Sequence, residues 1–68
     1  MRISARNVLL GTVTEIVRGA VTAHVRIDVG GSVVTAAITN EAADELGLAV
    51  GEAAYAVVKA SDVMVGKD

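Results

Sequence analysis

Sixty-eight residues leave room for one small domain, 1–68, and its apolar half is mostly Val and Ala, with no Phe, Trp or Cys and a single Tyr55. A core built from such side chains is thin, and no disulfide or thiolate–metal staple can reinforce it. A formal charge of −2 and a pI near 5.2 exclude the basic face of a nucleic-acid binder, and no apolar run approaches a membrane span.

With core and staples both short, oligomerisation is the remaining way to stabilise so small a body. An obligate homo-oligomer is therefore expected. No apolar h-region follows Arg2, so a secretory leader is not expected, and a cytoplasmic protein is.

Glycine supplies the punctuation, because the chain has no Pro. Asn7 to Arg18 is a β-branched stretch that reads as a first strand, with Gly11 as a candidate bulge. Arg18-Gly19 reads as a turn. From Ala20 to Val29 the odd positions are Val21, Ala23, Val25, Ile27 and Val29, and the even ones are Ala20, Thr22, His24, Arg26 and Asp28. Alternation of this kind predicts a strand with one buried face. Gly30-Gly31-Ser32 predicts a tight hairpin into a partner strand ending at Thr39. Asn40 to Leu46 predicts a short helix, capped by Thr39 or Asn40, favoured at its start by Glu41 and ended by Gly47. Ala53 to Ala60 reads as a fourth strand and Ser61 to Val65 as a short fifth. The expected architecture is all-β: a small OB-like, five-stranded Greek-key barrel with one short helix between the third and fourth strands.

The inventory does not support an enzyme. His24 is the only His and falls on the polar face of the alternating strand, so no catalytic residue is assigned. No His/Cys/carboxylate set has metal-ligand spacing. An oligonucleotide-binding surface would want stacked aromatic residues over a basic groove, which this chain lacks.

Two polar clusters remain, Ser4-Ala5-Arg6 and Lys59-Ala60-Ser61. Each has a hydroxyl, a fixed positive charge and a small residue with an unhindered backbone amide. A pocket of donors with few acceptors suits a fully deprotonated tetrahedral oxyanion. The helix start after Thr39 adds the amides of Ala42 and Ala43 to the candidate donors. Spacing alone leaves open that Arg6 and Lys59 are solvated charges and that the serines belong to turns.

Five segments together resemble the molbindins, small molybdate- and tungstate-binding proteins made of a single Mop domain. They are Ile3-Ser4-Ala5-Arg6-Asn7, Gly11-x-Val13, Ile38-Thr39, Ala43-x-x-Leu46-Gly47-Leu48-x-x-Gly51 and Val58-Lys59-Ala60-Ser61-x-Val63-Met64. Similar domains end molybdate transporter ATPases and molybdate-responsive transcription regulators. The resemblance implies a homohexamer, a trimer of dimers, that binds molybdate or tungstate without an organic cofactor. It places Ser4, Ala5, Arg6, Lys59, Ala60 and Ser61 of one subunit and Thr39, Ala42 and Ala43 of a neighbour around one kind of site. A second kind is expected near a three-fold axis, around Gly19, Ala20 and Val21. Related domains often carry Ser where Ala42 stands. The expected role is intracellular storage or homeostasis of the oxyanion. The alternative from another functional class is an oligomeric regulatory or scaffold module that binds a protein partner and keeps the anion only as a structural ion.

Overall fold

A computed structural model describes residues 1–68. It contains strand β1 (Asn7–Arg18), β2 (Thr22–Asp28), β3 (Val33–Thr39), helix α1 (Asn40–Leu46) and β4 (Ala53–Val58). A single 3₁₀ turn, Ala60–Asp62, follows. The strands form one antiparallel sheet in the order β3-β2-β1-β4.

The long first strand organises the sheet. Residues Asn7 to Thr12 pair with β4, and Thr12 to Arg18 pair with β2, so the two ladders meet at the middle of β1. That strand must bend where it changes partner. Gly11 sits at the crossover, and a Cβ there would lie 2.4 Å from the Asp28 carbonyl oxygen and 2.7 Å from Ile27 Cγ2. The register irregularity falls later, between Val13 and Glu15, which leaves Thr14 as the extra residue. Gly11 is therefore kept for close approach of backbone to backbone, and the bulge expected there sits at Thr14, whose hydroxyl donates to the Arg26 carbonyl at 3.3 Å.

The alternating run gives β2. Ala23, Val25 and Ile27 are buried, while Thr22, His24 and Arg26 are exposed. Val21 departs from the pattern at 69% exposure, because it belongs to the turn before the strand and has no sheet to face. Asp28 secures the β2–β3 hairpin. Its Oδ1 accepts from the amides of Gly30 and Gly31 at 3.0 and 2.8 Å, and both glycines have φ near +100°.

Thr39 caps α1, accepting the Ala42 N–H at 3.0 Å, and Gly47 ends it at φ 62°. The loop after the helix returns to β1, with Gly51 N–H donating to the Val13 carbonyl and Val13 N–H to the Glu52 carbonyl. This contact curls the sheet over a core of Val13, Val25, Ile27 and Ala56, with Ile16, Val34, Ile38 and Leu48 packed against it. The result is an OB-like fold of mostly strands with one short helix, placed between the third and fourth strands as expected.

The short fifth strand read at Ser61 to Val65 is not formed in the single chain. After Val58 the polypeptide runs past Asn7, the first paired residue of β1, so no neighbouring strand is there to receive it. It makes the 3₁₀ turn and then leaves Met64 and Val65 more than 90% exposed.

Only six of 68 residues are buried. The accessible surface is 5195 Å², against about 4,000 Å² for a compact monomer of this mass. The radius of gyration, 12.5 Å, also exceeds the roughly 11 Å of a compact chain this long.

Candidate functional site

The register of the β1–β4 ladder brings the two polar clusters together. Asn7 lies opposite Val58, and the Asn7 side-chain amide donates to the Val58 carbonyl at 3.1 Å. Ser4-Ala5-Arg6 enters that end of the sheet where Lys59-Ala60-Ser61 leaves it. Fifty-one residues of separation in sequence become adjacent backbones.

Donors predominate there. The backbone amides of Ala5, Arg6, Lys59, Ala60 and Ser61 donate to no acceptor within the chain. In the 3₁₀ turn only Asp62 and Val63 use their amides, on the carbonyls of Lys59 and Ala60. Ser4, Arg6, Lys59, Ala60 and Ser61 are exposed and Ala5 is half-buried. Neither Arg6 nor Lys59 forms an ion pair, whereas Arg18 pairs with Asp44 at 2.9 Å and Arg26 with Glu15 at 3.7 Å. Two fixed cations, two hydroxyls and several unused amides thus share one corner of the molecule. The nearest carboxylate in sequence is Asp62.

The remaining expected residues lie elsewhere. Thr39 is opposite Thr22, beside the Arg18 end of β1. The Arg6–Lys59 corner is at the Asn7 end of the same strand, on the order of 35 Å away along its length. In the single chain Thr39 and Arg6 thus sit at opposite ends of β1, and no pocket is formed. Of the three helix-start residues, Ala42 already gives its amide to Thr39 Oγ1. Ala43 is fully buried, and its carbonyl accepts from Leu48 at 3.2 Å. Thr39 is exposed, and its hydroxyl still has a proton to donate. Gly19, Ala20 and Val21 form an exposed turn beside the start of α1.

Asn40 is the residue that sequence reasoning treated only as a possible cap. It bridges to that turn, donating its backbone amide to the Val21 carbonyl at 2.7 Å and its side-chain Nδ2 to the Gly19 carbonyl at 2.9 Å. Its partners are 19 and 21 positions away, so no local pattern could have announced it. His24 stands on the outer face of β2, opposite Val17 and Ala37. No three His, Asp or Glu side chains converge. No helix is long and apolar enough to cross a membrane.

Comparison with known proteins agrees with this architecture. The TOBE domain family matches residues 3–65. A probable molybdenum-pterin-binding protein of Haemophilus influenzae is 51% identical over 67 residues, covering 97% of each chain. A molybdate-binding protein from Sporomusa ovata superposes with a TM-score of 0.93 at 43% identity, over 98% of this chain and 100% of that one. The cytoplasmic molybdate-binding protein ModG, solved with molybdate bound, superposes with a TM-score of 0.89 at 51% identity, over 94% of this chain and 46% of that one. Similarity along nearly the full length, in sequence and in backbone, establishes descent: the chain belongs to the TOBE-domain family, in its molbindin (Mop) branch.

Proposed function

We propose that this protein binds molybdate, and tungstate with it, reversibly at contacts between identical subunits, and serves as a cytoplasmic store of the oxyanion. The observation that carries the reading is the Ser4–Arg6/Lys59–Ser61 corner, where hydroxyls, unused amides and two unpaired cations converge. A tetrahedral dianion accepts hydrogen bonds and donates none, so this set matches it. The reaction is binding alone, with no covalent step and no organic cofactor.

Assembly follows from the same physical account. Thr39 can reach the corner only from a second copy, and burial between copies would exclude water and strengthen every donor–anion bond. The surface to be covered is present. The outer face of the β1–β4 ladder carries Val8, Leu10, Tyr55 and Val57, between 38% and 62% exposed. The large excess of accessible surface over a compact monomer points the same way. We take the assembly to be a hexamer, a trimer of dimers. The net charge of −2 is no obstacle, since the field of the site is local and screened beyond about 10 Å.

Selectivity follows from donors and size. Phosphate near neutral pH keeps a proton and wants an acceptor, and an unpaired buried donor is costly. Sulfate has the right charge but shorter bonds, so it fits a molybdate-sized enclosure loosely. Isothermal titration of the assembled protein with molybdate, sulfate and phosphate tests this. The expected result is tight molybdate binding, weaker sulfate binding and no heat with phosphate. Absence of heat with molybdate, or equal affinity for sulfate, overturns the reading.

A further inference from the structure

His24 is the only imidazole in the chain, and its side chain is exposed with no hydrogen bond or ion pair. The β2–β3 register decides what lies beside it. Thr22 is opposite Thr39, and His24 is opposite Ala37. Directly opposed residues project to the same face of a sheet, so Thr22, His24 and Thr39 share the outer one. His24 and Thr39 are diagonal neighbours there, about 7 Å apart and within reach of a ring side chain. Ala37 adds only a methyl group beside them. Thr39 is the residue that the proposed site borrows from a second copy. An anion accepting a hydrogen bond from its hydroxyl therefore has the imidazole within about 8 Å.

The charges around the ring fix the direction of the effect. On the outer face, Arg26 of β2 and Glu15 of β1 are paired with each other at 3.7 Å. β3 carries no charged residue. The helix after Thr39 carries Glu41, Asp44 and Glu45, of which Asp44 is paired with Arg18 at 2.9 Å. A second copy docked on Thr39 brings Arg6 and Lys59, with Asp62 behind them. Glu41, Glu45 and Asp62 favour a protonated ring whether or not an anion is bound. Arg6 and Lys59 oppose it while the site is empty. A dianion cancels those two charges and removes the opposition.

We propose that His24 makes anion binding proton-linked: filling the site draws one proton from solvent onto the free imidazole nitrogen, and the imidazolium then holds the dianion more tightly. The proposal rests on the molybdate reading above, including the borrowed Thr39. Imidazole is the side chain suited to this role, because it changes charge between about pH 5 and 8. The sign follows from linkage. The gain in affinity is complete below the midpoint of the empty site and is lost as pH rises through the midpoint of the filled one. Mild acidification loads the protein, and a return to alkaline pH releases the anion.

A single His gives a single imidazole Cε1–H resonance, so proton NMR of the assembled protein follows it directly. Its titration midpoint is measured in low-salt buffer with and without saturating sodium molybdate. The midpoint should move upward by about 0.7 pH unit, and the calorimetric Kd should rise about fivefold from pH 6 to pH 8. Both are the scale expected of a unit charge about 8 Å from a dianion in water. In His24→Gln the Kd should be the same at both pH values. A midpoint unmoved or lowered by molybdate overturns the inference, as does a pH dependence that His24→Gln retains. Equal weakening of His24→Gln at both pH values shows a merely structural role and overturns it too. Tight binding with an unmoved midpoint defeats this inference alone, whereas no heat with molybdate at either pH defeats the molybdate reading as well.

Discussion

In the proposed site, Arg6 and Lys59 are the residues on which anion affinity should depend most. Each offers a charge-assisted bond, and neither is engaged by a carboxylate. Replacing either by Ala should weaken molybdate binding by about 1.5–3 kcal/mol, roughly ten- to a hundredfold in Kd. Titration calorimetry on Arg6→Ala and Lys59→Ala checks this, and unchanged affinity in both would place the site elsewhere. These two side chains were legible as candidates from residue type alone, since each stands beside a hydroxyl and a small residue. Their adjacency was not legible. It depends on the Asn7–Val58 register, which no local pattern reveals. Asn40 was hidden for the same reason, because its role is set by bonds to a turn some twenty positions upstream.

Among the elements, β2 and α1 were the most legible. Strict alternation fixed the buried face of β2 at Ala23, Val25 and Ile27, and the Thr39 and Gly47 caps fixed both ends of the helix. The misreadings occur where an element ends or changes partner. Val21 continues the alternation in sequence but not in the sheet. Ser61 to Val65 has strand-like composition and no strand to pair with inside one chain. Gly11 looked like a bulge because glycine in a strand marks either a bulge or a close approach, and sequence cannot distinguish them. The structure assigns it the second role. Gly11→Ala should therefore destabilise the fold by about 1–3 kcal/mol, since the new methyl meets the Asp28 backbone rather than a side chain that could turn aside. Denaturant or thermal unfolding measures the change, and an unaltered midpoint would show that β1 can bend without this approach.

At the scale of the whole molecule, the single chain leaves much of its apolar surface uncovered. Six buried residues, exposed Leu10, Leu46 and Val50, and an unpaired C-terminal segment are what the proposed assembly would cover. The thin core itself was legible in the composition, because aromatic-poor Val and Ala side chains bury little area. Light scattering at micromolar concentration should report a particle of six copies of the 6.9 kDa chain. A stable monomer that still binds molybdate would separate assembly from function and contradict the account. The two lines of reasoning meet in the position of Thr39, remote from Arg6 in its own chain and needed beside it in the proposed site.

Anomalous diffraction at the molybdenum edge, from crystals grown with molybdate, tests that meeting point most directly. The account predicts a metal peak enclosed by Ser4–Arg6 and Lys59–Ser61 of one subunit, with Thr39 of another within hydrogen-bond reach of the same anion. A peak held by residues of one chain alone, or lying away from Arg6 and Lys59, would contradict it.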